Sequence, residues 1–499
     1  MIKSIKLTGI VLILFICACR NNSNSTTSTT PAGSGSTRHI RKSLYSKDVQ
    51  QDADDLKKAL AIMRKMDCDS TSSWYYQGAM HWVPDTILKN PFCSSYTTAP
   101  KDLKEAWDNC THTPSGAEEI HFLVWHRLYI YHFEKIIRKL SGDPNFSLPY
   151  WGYTDTTNIA QARVMPAVFR DTTASLYEKA RLDSINNGYP IRGKGATKLS
   201  LTKLFKNTTY AGFNSNMDAA PHGAMHNYIG YGNDPTGKAM FSPIKQKIDD
   251  GGGLMQDVAT AAFDPIFWVH HANIDRVWQQ WTNSPNGKKV TLDELNSAPW
   301  VYTFFDENGK KVVYSHEEII KIIYDMGYDY DDTKVSAKSS LPEESKTINL
   351  IAQLPQSVIS SQKPNVTITK SVTTFKVQNN LNKALLAAKD TKKPLFMKVT
   401  VSFIKPPKGS YEVYLNLPAN VTPNVEGDYF EGFMTFFGAG HHMKGMANMP
   451  GARITKSFTF EITGRADALT KPEFNIEVLK FGGLPQEEIK VESVIIFRQ

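Results

Sequence analysis

The sequence predicts a mainly α-helical domain followed by a C-terminal β-sandwich domain. Between residues 44 and 330, apolar side chains recur at helical spacing in several stretches. Residues 331–364 are instead rich in Ser, Lys, Gln and Pro and lack periodicity, so we expect a linker there. In residues 365–499, short alternating stretches between Gly and Pro clusters predict strands.

A chain of 499 residues is long enough for two or three domains. The proportions of hydrophobic and charged residues, 41% and 21%, are those of an ordinary soluble globular protein, so a packed core is expected. The formal net charge is +8, but the sequence has no basic stripe with interleaved aromatic residues. We therefore expect no nucleic-acid partner.

The N-terminus has the pattern of an export signal. Lys3 and Lys6 precede a short apolar run, residues 7–16. This run is too short to cross a bilayer as a stable helix. The run ends in Ile16-Cys17-Ala18-Cys19, which resembles a bacterial lipoprotein cleavage box and implies a signal peptide of residues 1–19 with a lipid on Cys19. A plain cleaved signal peptide is the alternative. We expect export to the bacterial cell envelope and anchoring at the outer membrane, on the periplasmic or surface face, with the lipid as the only membrane contact.

Residues 20–43 follow this box and begin with a stretch of Asn, Ser, Thr, Gly and Pro. Such a composition cannot build a packed core, so we expect a flexible tether. The helical domain is then expected to occupy residues 44–330.

Three cysteines remain after Cys19, and an odd number in an oxidising compartment raises the question of pairing. Cys68 and Cys93 can pair with each other. Cys110 is then left for another role.

Within the helical domain, apolar spacing predicts four helices. They cover Asp52–Met66, His121–Leu140, His271–Trp281 and His316–Tyr324. The second is dense in apolar residues and is expected to be largely buried. In the C-terminal domain, alternation predicts strands at Val366–Thr369, Tyr411–Leu417 and Ser457–Ile462.

Thirteen histidines are present, and eight of them fall in two groups. The first group is His81, His112, His121 and His126, and the second is His222, His226, His270 and His271. His222 and His226 are four residues apart, which on a helix places both rings on one face. Sets of imidazole ligands favour zinc, copper, iron or nickel, and the absence of HExxH and CxxC elements gives little support to a zinc protease or a structural zinc site.

Four segments resemble motifs of the tyrosinase, catechol oxidase and molluscan haemocyanin family of binuclear copper proteins. They are Phe122–Tyr129 with Phe133-Glu134, Leu148–Trp151, Asp264–Arg276 and Tyr328–Tyr330. The first and third are similar to the family's first-copper and second-copper signatures. The resemblance spans roughly residues 70–330 and implies a helical bundle that holds two copper ions.

The resemblance also implies a ligand set, residue by residue. It gives the first copper His81, His112 and His126, and the second copper His222, His226 and His271. In the His270-His271 pair the family pattern places the metal on the second histidine, so that His270 lies beside the metal site.

The second ligand of the first copper departs from the family pattern. That ligand usually lies nine residues before the histidine of the Trp-His-Arg motif, where this chain has Ala117. We prefer His112, because Trp107-x-x-Cys-x-His matches the family, and His121 is the rival. The same Cys-x-His spacing makes Cys110 a candidate for a thioether to His112, with an unmodified or disulfide-bonded Cys110 as the alternative.

The family's chemistry implies oxidation of a small phenolic or catecholic substrate by dioxygen. A catechol becomes an o-quinone, and a phenol can first be hydroxylated at the ortho position. Val258 corresponds to a position that gates the site and resembles open sites. Asp218 is a candidate base or water holder where some hydroxylating members have glutamate. Gly223 replaces an asparagine of efficient hydroxylases, so catechol oxidation is mildly favoured.

Two other functions use the same site. An o-aminophenol oxidase is the alternative within the family, and a haemocyanin-like oxygen carrier is the alternative of another class, which the open Val258 position argues against.

In the C-terminal domain, the segment Phe436-Phe-Gly438 leads into a loop, residues 440–449, that is rich in His and Met. These are soft copper ligands, so we expect the loop either to pass copper to the core or to plug the entrance.

Overall fold

The structure is a computed structural model in which a helical domain precedes a β-domain. The residues described are 38–82, 105–107, 109–110, 117–192, 196, 198–230, 253–256, 258–334, 357–369, 371–378, 394–404, 407, 410–437, 439, 453–469, 471, 473–481 and 488–498. In this part of the chain, no helix combines the length and the apolar character needed to span a bilayer.

In its described residues, the helical domain (residues 38–334) is built on seven main helices, with short helical turns and strands between them. The helices are α1 (Gln50–Met63), α2 (Trp74–His81), α3 (Phe122–Ser141), α4 (Tyr210–Met217), α5 (Ala224–Gly230), α6 (Ile266–Thr282) and α7 (His316–Ile322). Its strands are β1 (His39–Arg41), β2 (Tyr302–Phe305), β3 (Lys311–Tyr314) and β4 (Tyr328–Tyr330). A π-helical segment, Asp218–Gly223, joins α4 to α5.

Local sequence signals set several helix ends. Ser73 caps α2 by accepting a hydrogen bond from the backbone N–H of Tyr76, and Thr209 caps α4 by accepting from Gly212. Helix α3 ends at Gly142, whose φ of 80° lies in the left-handed region that glycine adopts without steric cost. These signals fix where α2 and α4 begin and where α3 ends.

Helix α3 is the central element of the helical domain. Fifteen of its twenty residues are buried, as its dense apolar sequence predicts. It packs against α1 and α6. Phe133 of α3 stacks on Trp268 of α6, with ring centroids 3.6 Å apart. The two helices that carry the histidine motifs are therefore held face to face.

A buried ion network also joins α3 to α6. Asp275 accepts hydrogen bonds from Arg127 and, at 3.3 Å, from Arg41. Arg41 also pairs with Glu134 at 2.6 Å. Removing one partner would leave an uncompensated buried charge, which typically costs about 3–5 kcal/mol. Because Arg127 follows His126 directly and Asp275 lies one turn after His271, the network fixes the relative positions of two candidate ligands.

The paired tyrosines of β4 complete this network. The hydroxyls of Tyr328 and Tyr330 donate to Asp275 at 2.7 and 2.6 Å. The guanidinium carbon of Arg41 lies 3.6 Å from the centre of the Tyr328 ring. The Tyr-Asp-Tyr motif thus anchors the end of the helical domain against α6.

The β-domain (residues 357–498) consists of two sheets around a common hydrophobic core, as predicted. One sheet has the order β10-β9-β12-β7, and the other has the order β11-β8-β13-β5, with β6 also paired to β13. The strands are β5 (Ser357–Gln362), β6 (Val366–Ile368), β7 (Val372–Gln378), β8 (Leu395–Phe403), β9 (Ser410–Leu415), β10 (Phe430–Thr435), β11 (Ile454–Glu461), β12 (Glu473–Phe481) and β13 (Ile489–Arg498).

Two predicted boundaries differ from the structure. The tether expected over residues 20–43 ends earlier, because β1 pairs with β4 and Arg41 is fully buried. The linker expected over residues 331–364 contains strand β5, which pairs with β13. Strand β5 is an edge strand rich in serine, so it lacks the apolar alternation that marked the other strands.

The two domains meet at an apolar contact beside the π-helical segment. Small residues of the helical domain pack against aromatic and branched residues of the β-domain: Ala219, Ala220 and Ala224 against Tyr414, Val425, Phe430 and Phe433. At the rim, Glu461 accepts hydrogen bonds from the backbone and hydroxyl of Thr208, and Lys203 pairs with Glu431 at 2.9 Å. The β-domain is therefore docked next to the segment that carries His222.

Candidate metal centre

The first histidine group is brought together by α2 and α3. His81 is the last residue of α2, and His126 lies in the second turn of α3. With Cys110 they form a buried group whose possible ligand atoms all lie within 4.8 Å of one another. His81 and His126, two of the three predicted ligands of the first copper, therefore lie close to each other in the structure.

The second group comes from the π-helical segment, α5 and α6. The ligand atoms of His222, His226, His270 and His271 also lie within 4.8 Å of one another, and all four rings are buried. The structure gathers four imidazoles here, whereas the family pattern assigns the metal to three of them. His270 donates to or accepts from the hydroxyl of Tyr153 through Nδ1 at 2.7 Å, which fixes its ring.

Backbone carbonyls orient four of these rings in the same way. Nδ1 of His81, His126 and His226 lies 2.8 Å from the carbonyl oxygens of Val258, Phe122 and Met255, respectively. Nδ1 of His222 lies 3.1 Å from the Asp218 carbonyl oxygen. A carbonyl oxygen can only accept, so Nδ1 carries the proton and Nε2 keeps its lone pair for a metal.

The surroundings of His271 disfavour a charged imidazole. Its ring is 1% exposed, and neither ring nitrogen has a hydrogen-bond partner. Burial, reinforced by the neighbouring imidazoles, lowers the pKa of His271 well below 6.5, so the ring is neutral. A neutral buried imidazole without a hydrogen bond is costly on its own, and coordination of a metal would offset that cost.

The two groups adjoin each other. The rings of His126 and His271 stack in parallel, with centroids 4.2 Å apart and an interplanar angle of 6°. His222 lies 5.0 Å from His271 and 6.2 Å from His126 by ring centroids. Two metal ions held by these groups would therefore be close neighbours.

The predictions on the second ligand of the first copper have different outcomes. His112 lies outside the described residues, so its assignment and the Cys110–His112 thioether stay predictions. His121 is held elsewhere: its ring nitrogens bond to the Tyr302 hydroxyl at 2.6 Å and to the Ala298 carbonyl at 2.9 Å. This engagement removes the rival from the metal centre.

The structure describes two of the cysteines for which a role was predicted, Cys68 and Cys110. Cys110 is a buried thiol whose Sγ lies 3.6 Å from Nε2 of His126, and it is not in a disulfide. Cys68 is disulfide-bonded. Its expected partner, Cys93, lies outside the described residues, as do Cys19 and the predicted loop of residues 440–449.

The residues predicted to tune the chemistry all lie at the centre. Val258 holds His81 through its carbonyl oxygen, and its side chain is buried. Asp218 contacts His222, with Oδ1 3.0 Å from Nδ1. A Cβ atom added at Gly223 would lie 2.9 Å from the hydroxyl oxygen of Thr435, a residue of the β-domain.

The β-domain covers the second histidine group with an aromatic ring. Phe437 follows β10 and stacks on His226 with centroids 4.0 Å apart, and its ring lies edge-on to His222 at 5.7 Å. Phe437 belongs to the same hydrophobic core cluster as the histidine-bearing helices. Phe437 belongs to the segment that leads into the loop of residues 440–449, and the predicted role of that loop stays a prediction because the loop lies outside the described residues.

Comparison with known proteins agrees with this geometry. The family model for the common central domain of tyrosinase matches residues 71–190 and 172–284, the region that contains all the described histidines of the centre. Residues 71–284 are therefore similar to the central domain of the tyrosinase family. Tyrosinase HcTyr1 of Hahella sp. (strain CCB-MM4) is 28% identical over 279 residues, which are 51% of this chain and 55% of that protein. Aureusidin synthase of Antirrhinum majus is 24% identical over 340 residues, 62% of this chain and 54% of that one.

Solved structures extend the likeness to both domains. Latent aurone synthase, a polyphenol oxidase, matches with a TM-score of 0.62 and 15% identity over 94% of this chain and 92% of the other. Latent apple tyrosinase matches with a TM-score of 0.62 and 17% identity over 95% and 99%. At such identities the likeness concerns the fold: a helical core followed by a sheet-rich domain. The chain spans about half the length of the curated relatives that it matches.

Tyrosinase-family proteins use a binuclear copper site, and the residues of this chain fit it. His81 and His126 would hold one ion, together with His112 if that prediction holds. His222, His226 and His271 would hold the other. Neutral imidazoles suit copper, and the ring nitrogen of buried His271 that carries the lone pair would be the ligand atom.

Sequence reasoning missed two charged residues near the centre. Lys456 of β11 is buried and donates to the Phe437 carbonyl at 3.4 Å. Glu119 interacts with Asp218 and Lys456, and its pKa is raised to about 7, mainly by burial. The sequence did contain a signal for the burial of Lys456. Alternate residues of a strand point to the same face, and Lys456 alternates with the buried residues Phe458 and Phe460.

Proposed function

We propose that this protein is a copper-dependent oxidoreductase that oxidises catechols to o-quinones with dioxygen, and that it can also hydroxylate phenols at the ortho position. The observation that carries the proposal is the meeting of two buried histidine groups, linked by the parallel stack of His126 on His271. Two copper ions bound there would supply the redox chemistry that couples dioxygen reduction to substrate oxidation.

The substrate class is supported by the ring that already lies in the site. Phe437 places a six-membered aromatic ring flat against His226. A phenol or catechol has a ring of the same size and can stack in the same position once Phe437 has left. The walls there are apolar and aromatic, including Phe267, whose ring lies 4.3 Å from His271. An aromatic substrate therefore fits better than a sugar or an ionic metabolite.

The residues around the histidines would position the substrate and move its proton. A phenol must lose its hydroxyl proton before it can be oxidised, and Asp218 is the nearest described carboxylate to the second group, 3.0 Å from His222 Nδ1. In this role Asp218 holds His222 in one orientation and accepts a proton, directly or through a water molecule. Hydroxylation of phenols would depend on this proton transfer more than oxidation of catechols does.

We further propose that the chain is a latent form of the enzyme. Phe437 fills the place of the substrate ring, and it is carried by a domain with its own core. Two solved structures with similar folds are those of a latent aurone synthase and a latent apple tyrosinase. Displacement of the β-domain, by proteolysis or by a detergent, would then open the centre.

Oxygen uptake by the copper-loaded full chain tests the proposal, measured with a monophenol and its matching catechol before and after limited proteolysis. Uptake with the catechol alone after proteolysis identifies a catechol oxidase, and prompt uptake with both identifies a tyrosinase-type enzyme. Uptake that is fast before proteolysis contradicts latency. No uptake in any condition, despite bound copper, contradicts the proposed activity.

We also propose that the mature protein is exported and held at the cell envelope by a lipid on Cys19. The support is the charged start, the short apolar run and the cysteine-containing box of residues 1–19. Metabolic labelling with a radioactive fatty acid should mark the wild-type chain and not Cys19→Ser. Equal labelling of both chains would contradict the anchor.

A further inference from the structure

The last residues of β10 lie directly over Gly223. Thr435 ends this strand and is 2% exposed, and its hydroxyl oxygen would lie 2.9 Å from a Cβ atom at residue 223. The Cβ of Phe437, two residues further on, would lie 3.5 Å away, which is ordinary van der Waals contact. The volume of a side chain at residue 223 is thus already occupied by the β-domain.

The neighbouring residues of the helical domain are also small. Ala219, Ala220 and Ala224 form the apolar cluster with which the β-domain makes contact. Together with Gly223 they give a docking segment that lets β10 approach the π-helical turn closely. Such contacts are as dense as protein interiors, so an added carbon atom forces a shift.

We propose that Gly223 is the docking position for the β-domain, and that its missing side chain is what allows Phe437 to seal the metal centre. This inference rests on the proposed latent enzyme and adds the residue that sets its closure. The sequence prediction linked Gly223 to a preference for catechols, because hydroxylating relatives have asparagine there. In the structure the same absence has a steric consequence: with the β-domain docked as it is here, a Cβ atom at residue 223 would lie 2.9 Å from the Thr435 hydroxyl oxygen, so the contact would have to shift.

Thr435 is the β-domain residue whose hydroxyl oxygen a Cβ atom at residue 223 would contact most closely. Its β-branched side chain has little freedom at χ1 on a buried strand, so the hydroxyl cannot easily turn away. Thr435→Ala removes the oxygen and opens the space for a methyl group at residue 223. Thr435→Val keeps the branched shape and a heavy atom at the position of the hydroxyl oxygen, so it serves as the matched control.

One competing contact lies within the helical domain itself. A Cβ at residue 223 would also lie 2.9 Å from the carbonyl oxygen of Asp218. Strain from this contact would persist whether the β-domain is docked or not, and a change at Thr435 would not relieve it. The two sources of strain are therefore separable by a double-mutant cycle.

The test uses the copper-free full chain and hydrogen exchange measured by mass spectrometry. We compare Gly223→Ala alone with the double variants that add Thr435→Ala or Thr435→Val, and each double variant is compared with its Thr435 single variant. Peptides covering Asp218–Gly230 and β10 report docking, and peptides of α1 serve as the internal reference. We expect exchange at the interface to rise at least roughly fivefold in Gly223→Ala, as over-packing of a dense contact predicts.

The rise should vanish when Thr435→Ala is added and remain when Thr435→Val is added. Unchanged exchange in Gly223→Ala, or a rise that Thr435→Ala does not reverse, overturns the proposal. The same order is expected for the oxygen uptake of the copper-loaded proteins. The fraction of the total uptake that is already present before proteolysis should rise in Gly223→Ala and return to the wild-type fraction when Thr435→Ala is added. If exchange follows this order but no variant oxidises phenols, the docking proposal stands and the proposed enzymatic function fails.

Discussion

Phe437 of the β-domain stacks on the imidazole of His226, with ring centroids 4.0 Å apart and an interplanar angle of 24°. This contact joins two residues that are far apart in the sequence and belong to different domains. It turns a candidate metal ligand into part of the domain interface. On the proposed function, access of substrate to the centre would depend on the position of the β-domain.

Phe437→Ala should raise the oxygen uptake of the intact chain. Loss of the ring removes apolar contact area and vacates the substrate position, so we expect an increase of about tenfold or more before proteolysis. Uptake after proteolysis should match the wild type. Val421→Ala, on an exposed part of the same domain, is the control and should behave as the wild type. Intact Phe437→Ala protein that stays as inactive as the wild type would show that the ring does not block the site.

Asp218→Asn should impair monophenols more than catechols. The amide keeps the size of the side chain and can still accept a hydrogen bond, but it cannot take a proton at neutral pH. General-base catalysis is worth roughly 100-fold or more, so kcat/KM for the monophenol should fall by about that factor relative to the catechol. Steady-state rates of the proteolytically activated enzyme measure this ratio. An equal fall for both substrates would instead assign Asp218 to holding His222.

Lys456→Met should weaken the closed form. The lysine is buried, donates to the Phe437 carbonyl and faces Glu119 and Asp218. Methionine keeps most of the apolar stem but leaves two carboxylates without their counter-charge, a loss of roughly 1–3 kcal/mol for a buried polar contact. Oxygen uptake before proteolysis should rise several-fold, with unchanged copper content. Lys490→Met, at a partly exposed position of β13, is the control, and equal uptake in the two variants would contradict this role for Lys456.

The acid stability of the helical domain should depend on His132. Burial lowers the pKa of His132 to about 3, while its unfolded value is 6.5. The unfolded chain therefore binds a proton between these values and the folded chain does not, so stability is full above pH 6.5 and declines as the pH falls. At pH 5 this residue accounts for about 2 kcal/mol of lost stability.

Urea unfolding of the copper-free chain at pH 7 and pH 5 measures the effect. His132→Phe should show a smaller loss between the two pH values than the wild type, because phenylalanine fits the stack on Phe304 and does not titrate. The lost hydrogen bond to Tyr314 lowers stability at both pH values and cancels in the difference. An identical pH dependence in both proteins would contradict the assignment.

The sequence predicted the parts of the centre that depend on local spacing. His222 and His226 are one turn apart, and His271 lies on a long apolar helix, so each could be placed from a short stretch of sequence. The helical core and the β-rich C-terminal domain followed in the same way. Long family signatures then connected these local elements to one site.

Contacts between distant segments could not be predicted in this way. Arg41 lay in an expected tether because its buried partners, Glu134 and Asp275, are far along the chain. The steric role of Gly223 was hidden for the same reason, since its neighbour Thr435 belongs to the other domain. His121 looked like a possible ligand until the structure showed its bonds to Tyr302 and Ala298.

The central claim is that the two histidine groups form one binuclear copper site, and the metal content of the chain tests it most directly. Purified protein reconstituted with copper and freed of loose metal should hold about two copper ions per chain by elemental analysis, and His271→Gln should hold about one. His39→Gln, at a half-buried position of β1 outside both histidine groups, should keep the wild-type content. One copper or none in the wild type, or an unchanged content in His271→Gln, would contradict the account.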